Sequence, residues 1–140
     1  MINSYRNCVF CVVYADSQFL LLHRKLNWKG WEFCKGGIRK NETPEQAVKR
    51  EIREETHLKL LEIKKFNIKG KFLYDKKAQK QKGYKGASYI LFSALVKKGK
   101  PKISKIEHDS YKWCAFRQAL KLLTWPNQKK CLKIVKKSLH

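Results

Sequence analysis

Residues 36 to 58 read GGIRKNETPEQAVKREIREETHL and contain five of the 11 acidic residues of this 140-residue chain. Three of these glutamates follow one another at i, i+3 and i+4, so a helix would project them from one side. Val48 and Ile52 form an apolar stripe beside them. The pattern predicts an amphipathic helix that packs along one edge and presents carboxylates along the next.

The start of this helix is marked by its own residues. Thr43 is a candidate N-cap, Pro44 follows at the first helical position, and Gln46 stands three residues after the cap. This order is typical of a capping box with proline at its start. We therefore predict that the helix begins near Thr43.

The three glutamates are Glu51, Glu54 and Glu55, and their proximity has a cost. A like-charge pair at i, i+4 destabilises an isolated helix by about 0.2–0.5 kcal/mol. A hard cation such as Mg²⁺ (or Mn²⁺) offsets this repulsion, because it binds carboxylate oxygens while also accepting water and phosphate oxygens. The alternative is a solvated acidic face in which Arg50 pairs with Glu54.

From Gly36 the chain follows G-x5-E-x7-R-E-U-x-E-E-x-H-U, where U is aliphatic. This pattern resembles the Nudix box of the Nudix hydrolases. His57 is the one departure, because the family usually has glycine there. Histidine is a poor residue for positive φ, although it adopts that conformation more readily than most. The departure concerns the loop after the helix and leaves the carboxylates in place.

Two further segments resemble one branch of that family, the asymmetrical bis(5'-nucleosyl)-tetraphosphatases, which hydrolyse diadenosine tetraphosphate (Ap4A). The segment 31–37, WEFCKGG, is similar to the branch's W-x-x-P-K-G-H, with Cys34 replacing proline. The segment 107–114, EHDSYKWC, is similar to its E-H-x-x-Y-R-W. The likeness runs from about Cys8 to Leu139. It implies an α/β (α+β) fold, a Nudix-type α/β/α sandwich with a mixed sheet between helices.

The resemblance also implies residue roles. Arg50 would orient a neighbouring carboxylate, and Glu107 is a weak candidate for the general base beside Glu51 or Glu54. Tyr74 and Tyr111 would stack on an adenine, or else are half-buried strand residues. The metal ligands would be Gly36 (through its carbonyl), Glu51, Glu54 and Glu55. The substrate contacts would be Lys35, Tyr74, Lys80, Lys82, Tyr84 and Tyr111.

The net charge of +22 is the second informative feature. Residues 64 to 102 contain 13 lysines and one acid, Asp75. Such a surface attracts polyanions in a salt-dependent way, and lysine enrichment is also a mark of thermophilic proteins. We expect a nucleotide substrate together with weak, nonspecific nucleic-acid binding.

Five cysteines, an odd number, lie mostly in apolar surroundings, as expected for reduced intracellular thiols. Cys8 and Cys11 form C-x2-C, but residues three apart on a strand point to opposite faces. We therefore interpret them as buried apolar residues. We also expect a single domain over residues 1–140, no membrane segment and a cytoplasmic location.

The remaining patterns predict an alternation of strands and helices. The segment 76–85, rich in Lys and Gln, is expected to be an exposed mobile loop. The predicted strands are 8–14, 19–22, 31–34, 60–68, 71–74, 87–96 and 111–115, and the further predicted helices are 116–123 and 128–139.

Three functional hypotheses follow. The first is a metal-dependent hydrolase of nucleoside-diphosphate-linked compounds that cleaves Ap4A to ATP and AMP by water attack on a phosphate. The second is a Nudix pyrophosphohydrolase acting on RNA 5' ends or caps. The third is a non-catalytic nucleic-acid-binding module. The first is favoured because all three box glutamates are retained and because the two flanking segments resemble the Ap4A branch.

Overall fold

The computed structural model describes residues 3–139, which form seven strands and four helices. The strands are β1 (Tyr5–Ala15), β2 (Gln18–Arg24), β3 (Gly30–Glu32), β4 (Cys34–Gly37), β5 (Leu60–Leu73), β6 (Gly86–Val96) and β7 (His108–Cys114). The helices are α1 (Pro44–Thr56), α2 (Lys76–Lys82), α3 (Phe116–Leu122) and α4 (Pro126–Ser138).

The strands form one mixed sheet in the order β3-β2-β1-β6-β5, with β4 added to β1 and β7 added to β2. Only the β1–β6 pair is parallel among these described strands. One face of the sheet packs against α1, and the other packs against α3 and α4. The predicted α/β class with a mixed sheet between helices is confirmed.

Alternation along β1 sorts its side chains between the two faces. Cys8 and Phe10 belong to the core beneath α3 and α4, whereas Val9 and Cys11 belong to the core beneath α1. All five cysteines are buried and free. The interpretation of C-x2-C as two buried residues on opposite faces is confirmed.

β5 is one continuous edge strand, so the prediction of separate strands at 60–68 and 71–74 was wrong. Gly70, which lies between the two predicted strands, packs against the Tyr89 ring, where a Cβ atom would come within 2.3 Å of it. Glycine serves here for close approach within a strand and not for a turn. The pairing with β6 shifts register between Lys65 and Lys69.

The segment 76–85, predicted as an exposed loop, contains the helix α2, so that prediction was wrong. Asp75 caps the helix by accepting a 2.8 Å hydrogen bond from the Ala78 amide, and Gly83 ends it with φ 75°. Gln79 Nε2 donates hydrogen bonds to the carbonyls of Tyr74 at 3.2 Å and Lys85 at 3.1 Å. These bonds connect α2 to the segments before and after it. The capping residues at both ends mark the helix, and its lysine content is compatible with it.

Smaller differences concern element ends. β7 begins at His108 and not at residue 111, and α4 begins at Pro126 and not at residue 128. No helix within residues 3–139 is long and apolar enough to cross a membrane.

Candidate active site

The predicted capping box holds the start of α1. Thr43 Oγ1 accepts a 3.1 Å hydrogen bond from the Gln46 amide, and Gln46 Oε1 accepts one of 2.9 Å from the Thr43 amide. At the other end His57 adopts φ 58°, and its amide donates to the carbonyls of Ile52 and Arg53. Histidine therefore takes the left-handed conformation that glycine usually supplies.

Arg50 joins the helix to the loop that precedes it. Its side chain, 8% exposed, donates two hydrogen bonds to Glu42 at 2.7 and 2.8 Å and one of 2.7 Å to the Gly37 carbonyl. It also contacts Glu51 at 2.6 Å and Glu54 at 3.5 Å. The hydrogen bond from Arg50 lowers the pKa of Glu42 to about 2. One guanidinium thus fixes both the loop and the carboxylates of the helix.

The three box glutamates differ in environment. Glu51 and Glu55 are buried, whereas the Glu54 side chain is 45% exposed and reaches Arg39 at 3.5 Å. Burial raises the pKa of the Glu51 carboxyl, although the hydrogen bond from Arg50 opposes this. Burial also raises the pKa of Glu55 well above its ordinary value, assisted by Cys34 and Glu51. Burial therefore acts against the charged form of both inner carboxylates.

The chemistry of these residues fits a divalent cation. Glu55 Oε2 is buried without a hydrogen-bond partner in the structure. The Glu51 carboxylate lies against Gly36, where an added Cβ would meet it at 2.1 Å, so a larger residue there would displace the carboxylate. Carboxylate and carbonyl oxygens are the ligands that Mg²⁺ prefers. Within residues 3–139 no three Asp, Glu, His or Cys residues already surround one point as a ligand set, and Arg50 separates Glu51 from Glu54.

A pocket of about 620 Å³ opens in front of these carboxylates. Glu107 lines it together with the three box glutamates, so the structure brings the C-terminal motif to the box. Tyr84 also lines it, as do Arg6, Arg39 and Lys40. Acidic and basic side chains therefore face the same space.

A cationic cluster of Arg6, Lys35 and Lys82 adjoins this pocket on the α3/α4 face of the sheet. Lys82 Nζ lies 5.2 Å from the centre of the Tyr74 ring. Burial lowers the pKa of Lys82, and the nearby charges of Lys35 and Arg6 lower it further. Lys80, by contrast, is exposed. The structure thus directs one of the two predicted α2 lysines toward the site and the other toward solvent.

Tyr74 and Tyr111 do not meet. Tyr74 packs against the core beneath α3 and α4, whereas Tyr111 packs against the core beneath α1. The sheet separates the two rings, so they do not stack together on one adenine. Base stacking by either tyrosine alone stays a prediction. The alternation of residues within β7 could not reveal this separation, because it does not show which face of the sheet lies toward the substrate.

Three residues near the site were missed in the sequence. The Arg6 guanidinium lies beside Gly37, where a Cβ would meet it at 2.5 Å. Glu32 and Arg24 are buried and contact each other at 3.5 Å. The signal in the sequence was a charged residue, Glu32, between the two aromatic residues of the predicted strand 31–34. Arg6 and Arg24 carry no local signal.

Glu32 gives the fold a pH dependence. Burial opposes its ionisation, but Lys35, the hydrogen bond with His108 and Arg24 outweigh burial and lower its pKa to about 2 from 4.5. A lowered pKa stabilises the folded protein above pH 4.5, and this contribution, about 3 kcal/mol, is lost as pH falls toward 2. We expect urea unfolding to show a smaller loss of stability between pH 6 and pH 3 in Glu32→Gln than in the unmodified protein. Equal losses would contradict this assignment.

Comparison with known proteins identifies the family. The NUDIX domain model matches residues 4–133. A Hydrogenovibrio crunogenus RNA pyrophosphohydrolase is 36% identical over 62 residues, which cover 44% of this chain but only 38% of that protein.

Two solved structures share the fold. The E. coli dihydroneopterin triphosphate pyrophosphohydrolase superimposes with a TM-score of 0.81 at 20% identity, covering 94% of this chain and 96% of the other. A C. elegans Ap4A hydrolase gives 0.70 at 22% identity, covering 94% and 97%. At these identities the likeness concerns the fold alone. Because the domain model spans nearly the whole chain and the box residues stand together on α1, this protein belongs to the Nudix domain family.

Proposed function

We propose that this protein is a metal-dependent pyrophosphohydrolase that cleaves Ap4A to ATP and AMP by water attack on a phosphate. The observation that supports this most directly is the pocket in which four glutamates face a set of basic side chains. Carboxylates suit a divalent cation, and the neighbouring cations suit the phosphates of a nucleotide. Cleavage of a polyphosphate requires both the metal-binding carboxylates and the phosphate-binding cations at the same site.

Each part of the site has a proposed task. Glu51, Glu54, Glu55 and the Gly36 carbonyl would hold Mg²⁺ or Mn²⁺, which when bound neutralises phosphate charge and makes water a better nucleophile. Arg50 fixes the orientation of Glu51 through its 2.6 Å contact. Glu107, at the rim of the pocket, is the candidate proton acceptor.

The substrate contacts belong to the cationic cluster. Lys35, Lys82 and Arg6 would bind the phosphates, with Tyr84 at the pocket edge. Tyr74 would contribute an aromatic surface for a base, because it lies next to these cations. Ap4A is favoured over smaller nucleotides by the segments 31–37 and 107–114, which resemble the branch that hydrolyses it.

RNA carrying a 5' triphosphate is the second candidate. A relative of 36% identity is named RNA pyrophosphohydrolase, although the match covers 38% of its length. A cleft of about 800 Å³ shares Ile38, Arg39 and Lys40 with the acidic pocket and continues along Lys69 and Lys71. This basic cleft would suit the backbone of a longer nucleic acid.

A substrate panel separates the two candidates. The purified protein with Mg²⁺ or Mn²⁺ is assayed on Ap4A, Ap3A, NADH, 8-oxo-dGTP and triphosphorylated RNA, and the products are identified. We expect the highest kcat/KM for Ap4A, with ATP and AMP as products. Faster turnover of triphosphorylated RNA would favour the second candidate, and inactivity on all five would contradict a hydrolase function.

Two of the α2 lysines, Lys80 and Lys82, provide a matched pair for testing phosphate contact. Lys82 is partly buried beside Tyr74, whereas Lys80 is exposed. We expect Lys82→Gln to raise the KM for Ap4A about tenfold in low salt, as for the loss of a charge-assisted hydrogen bond. Lys80→Gln should have little effect. The Lys82 effect should shrink as added salt shortens the Debye length below about 8 Å, and equal effects of both changes would contradict the contact.

A further inference from the structure

Glu107 lines the acidic pocket although it lies just before β7, far from α1 along the chain. Contacts with other segments must therefore hold it at the pocket. Its backbone carbonyl accepts hydrogen bonds from the amides of Lys25 and Leu26 at 2.9 and 3.3 Å. Its carboxylate lies 3.3 Å from Arg24 Nη1. The side chain of Glu107 is therefore held by the last residue of β2 and its backbone by the two residues that follow.

Arg24 is itself fixed on two sides. Its Nε donates to the Leu26 carbonyl at 3.0 Å, and its Nη1 contacts Glu32 Oε2 at 3.5 Å. The Arg24 side chain is 11% exposed and that of Glu32 is 2% exposed. One guanidinium nitrogen thus lies between a buried carboxylate and the carboxylate at the pocket.

The buried end of this chain of contacts is completed by His108. Its Nε2 lies 2.7 Å from Glu32 Oε2, and the ring has no solvent exposure. Lys35 Nζ lies 3.5 Å from the other Glu32 oxygen. That oxygen, Glu32 Oε1, and His108 Nδ1 are buried without hydrogen-bond partners in the structure. Burying polar atoms without hydrogen-bond partners costs free energy, so this arrangement is destabilising by itself.

A β-bulge explains how His108 comes to face inward. β7 pairs Ser110 with His23 but His108 with Arg24, so Asp109 is an extra residue on this strand. Strict alternation from Tyr111 would have turned Asp109 to the interior. Instead Asp109 is exposed and His108 is fully buried. Bulges commonly redirect side chains in this way beside functional sites.

From these contacts we propose that Arg24 is a positioning residue that holds the Glu107 carboxylate at the acidic pocket, and that the buried Glu32–His108 pair fixes Arg24 for this task. The consequence for catalysis depends on the proposed hydrolase function. Arg24 acts through Glu107 and need not touch the substrate. Its loss should therefore lower kcat more than it changes KM.

A double-mutant cycle tests this dependence. We expect Arg24→Met to lower kcat for Ap4A about ten- to hundredfold, the scale expected from a misplaced catalytic group, with KM changed less than about twofold. In the Glu107→Gln background the same substitution should cause little further loss. Equal loss of kcat in both backgrounds, or no loss in the first, would overturn the proposal. Arg117→Met, at an exposed position of α3, is the control and should leave kcat unchanged.

Two measurements protect this test against misfolding and against an inactive enzyme. Arg24→Lys keeps the positive charge but lacks the guanidinium that contacts both carboxylates. It should therefore fold and lose less kcat than Arg24→Met. If Arg24→Met does not fold, Arg24→Lys takes its place in the cycle. Amide hydrogen exchange at Lys25 and Leu26, which bind the Glu107 carbonyl, should be faster in the Arg24 variant than in the unmodified protein. Unchanged exchange would count against the proposal even if no substrate were hydrolysed, whereas inactivity of the unmodified protein would count against the hydrolase function alone.

Discussion

Replacing Glu54 by Gln is expected to lower kcat at least about a hundredfold, the general scale for a lost charge-stabilising group. Glu54 is the most accessible box carboxylate, with a side chain 45% exposed at the pocket. The substitution keeps the size of the side chain and removes only its charge. Steady-state kinetics with Ap4A at saturating Mg²⁺ measures the effect.

The chain offers a closely matched control in Glu45. It lies on the same helix, its side chain is 44% exposed, and it forms an ion pair with Lys65 at 3.9 Å without lining the pocket. Glu45→Gln should therefore retain full activity. Activity of the unmodified protein should also disappear in excess EDTA, and undiminished turnover there would refute metal dependence.

Replacing Arg50 by Met is expected to lower the free energy of unfolding by about 3–5 kcal/mol, the usual cost of removing one partner of a buried ion pair. The substitution leaves Glu42 and Glu51 without their shared guanidinium and the Gly37 carbonyl without its donor. Urea denaturation followed by circular dichroism measures the change.

Arg53→Met supplies the comparison, because Arg53 is an exposed arginine of the same helix. A surface substitution of this kind usually changes stability by less than about 0.5 kcal/mol. If both variants lost the same stability, helix propensity or net charge would explain the result, and the contacts of Arg50 would not.

The sequence was most informative where structure depends on neighbours along the chain. The capping box of Thr43 and Gln46 and the buried stripe of Val48 and Ile52 both follow from spacing within one helix. The same local reasoning should have found α2, whose ends are marked by Asp75 and Gly83. Lysine content was weighed too heavily there, although lysine is a good helix former.

Contacts between distant segments were not predictable in this way. Arg24 meets Glu107 across 83 residues, and the bulge that turns His108 inward changes the strand's alternation without a sequence signal. The separation of Tyr74 from Tyr111 also depends on which face of the sheet each side chain occupies and on which helices cover that face. These features arise from packing, which a one-dimensional pattern does not specify.

The edge strand β5 has a consequence for how copies of this protein behave at high concentration. An exposed edge is a template for pairing with another chain, and lysines are a common protection against it. Lys64, Lys65, Lys69 and Lys71 are all exposed along β5. Two molecules that aligned these edges would bring their lysines together, so we expect mutual repulsion to disfavour pairing between copies. A polyanion that neutralised those lysines would weaken the repulsion, and we then expect copies to associate along this edge.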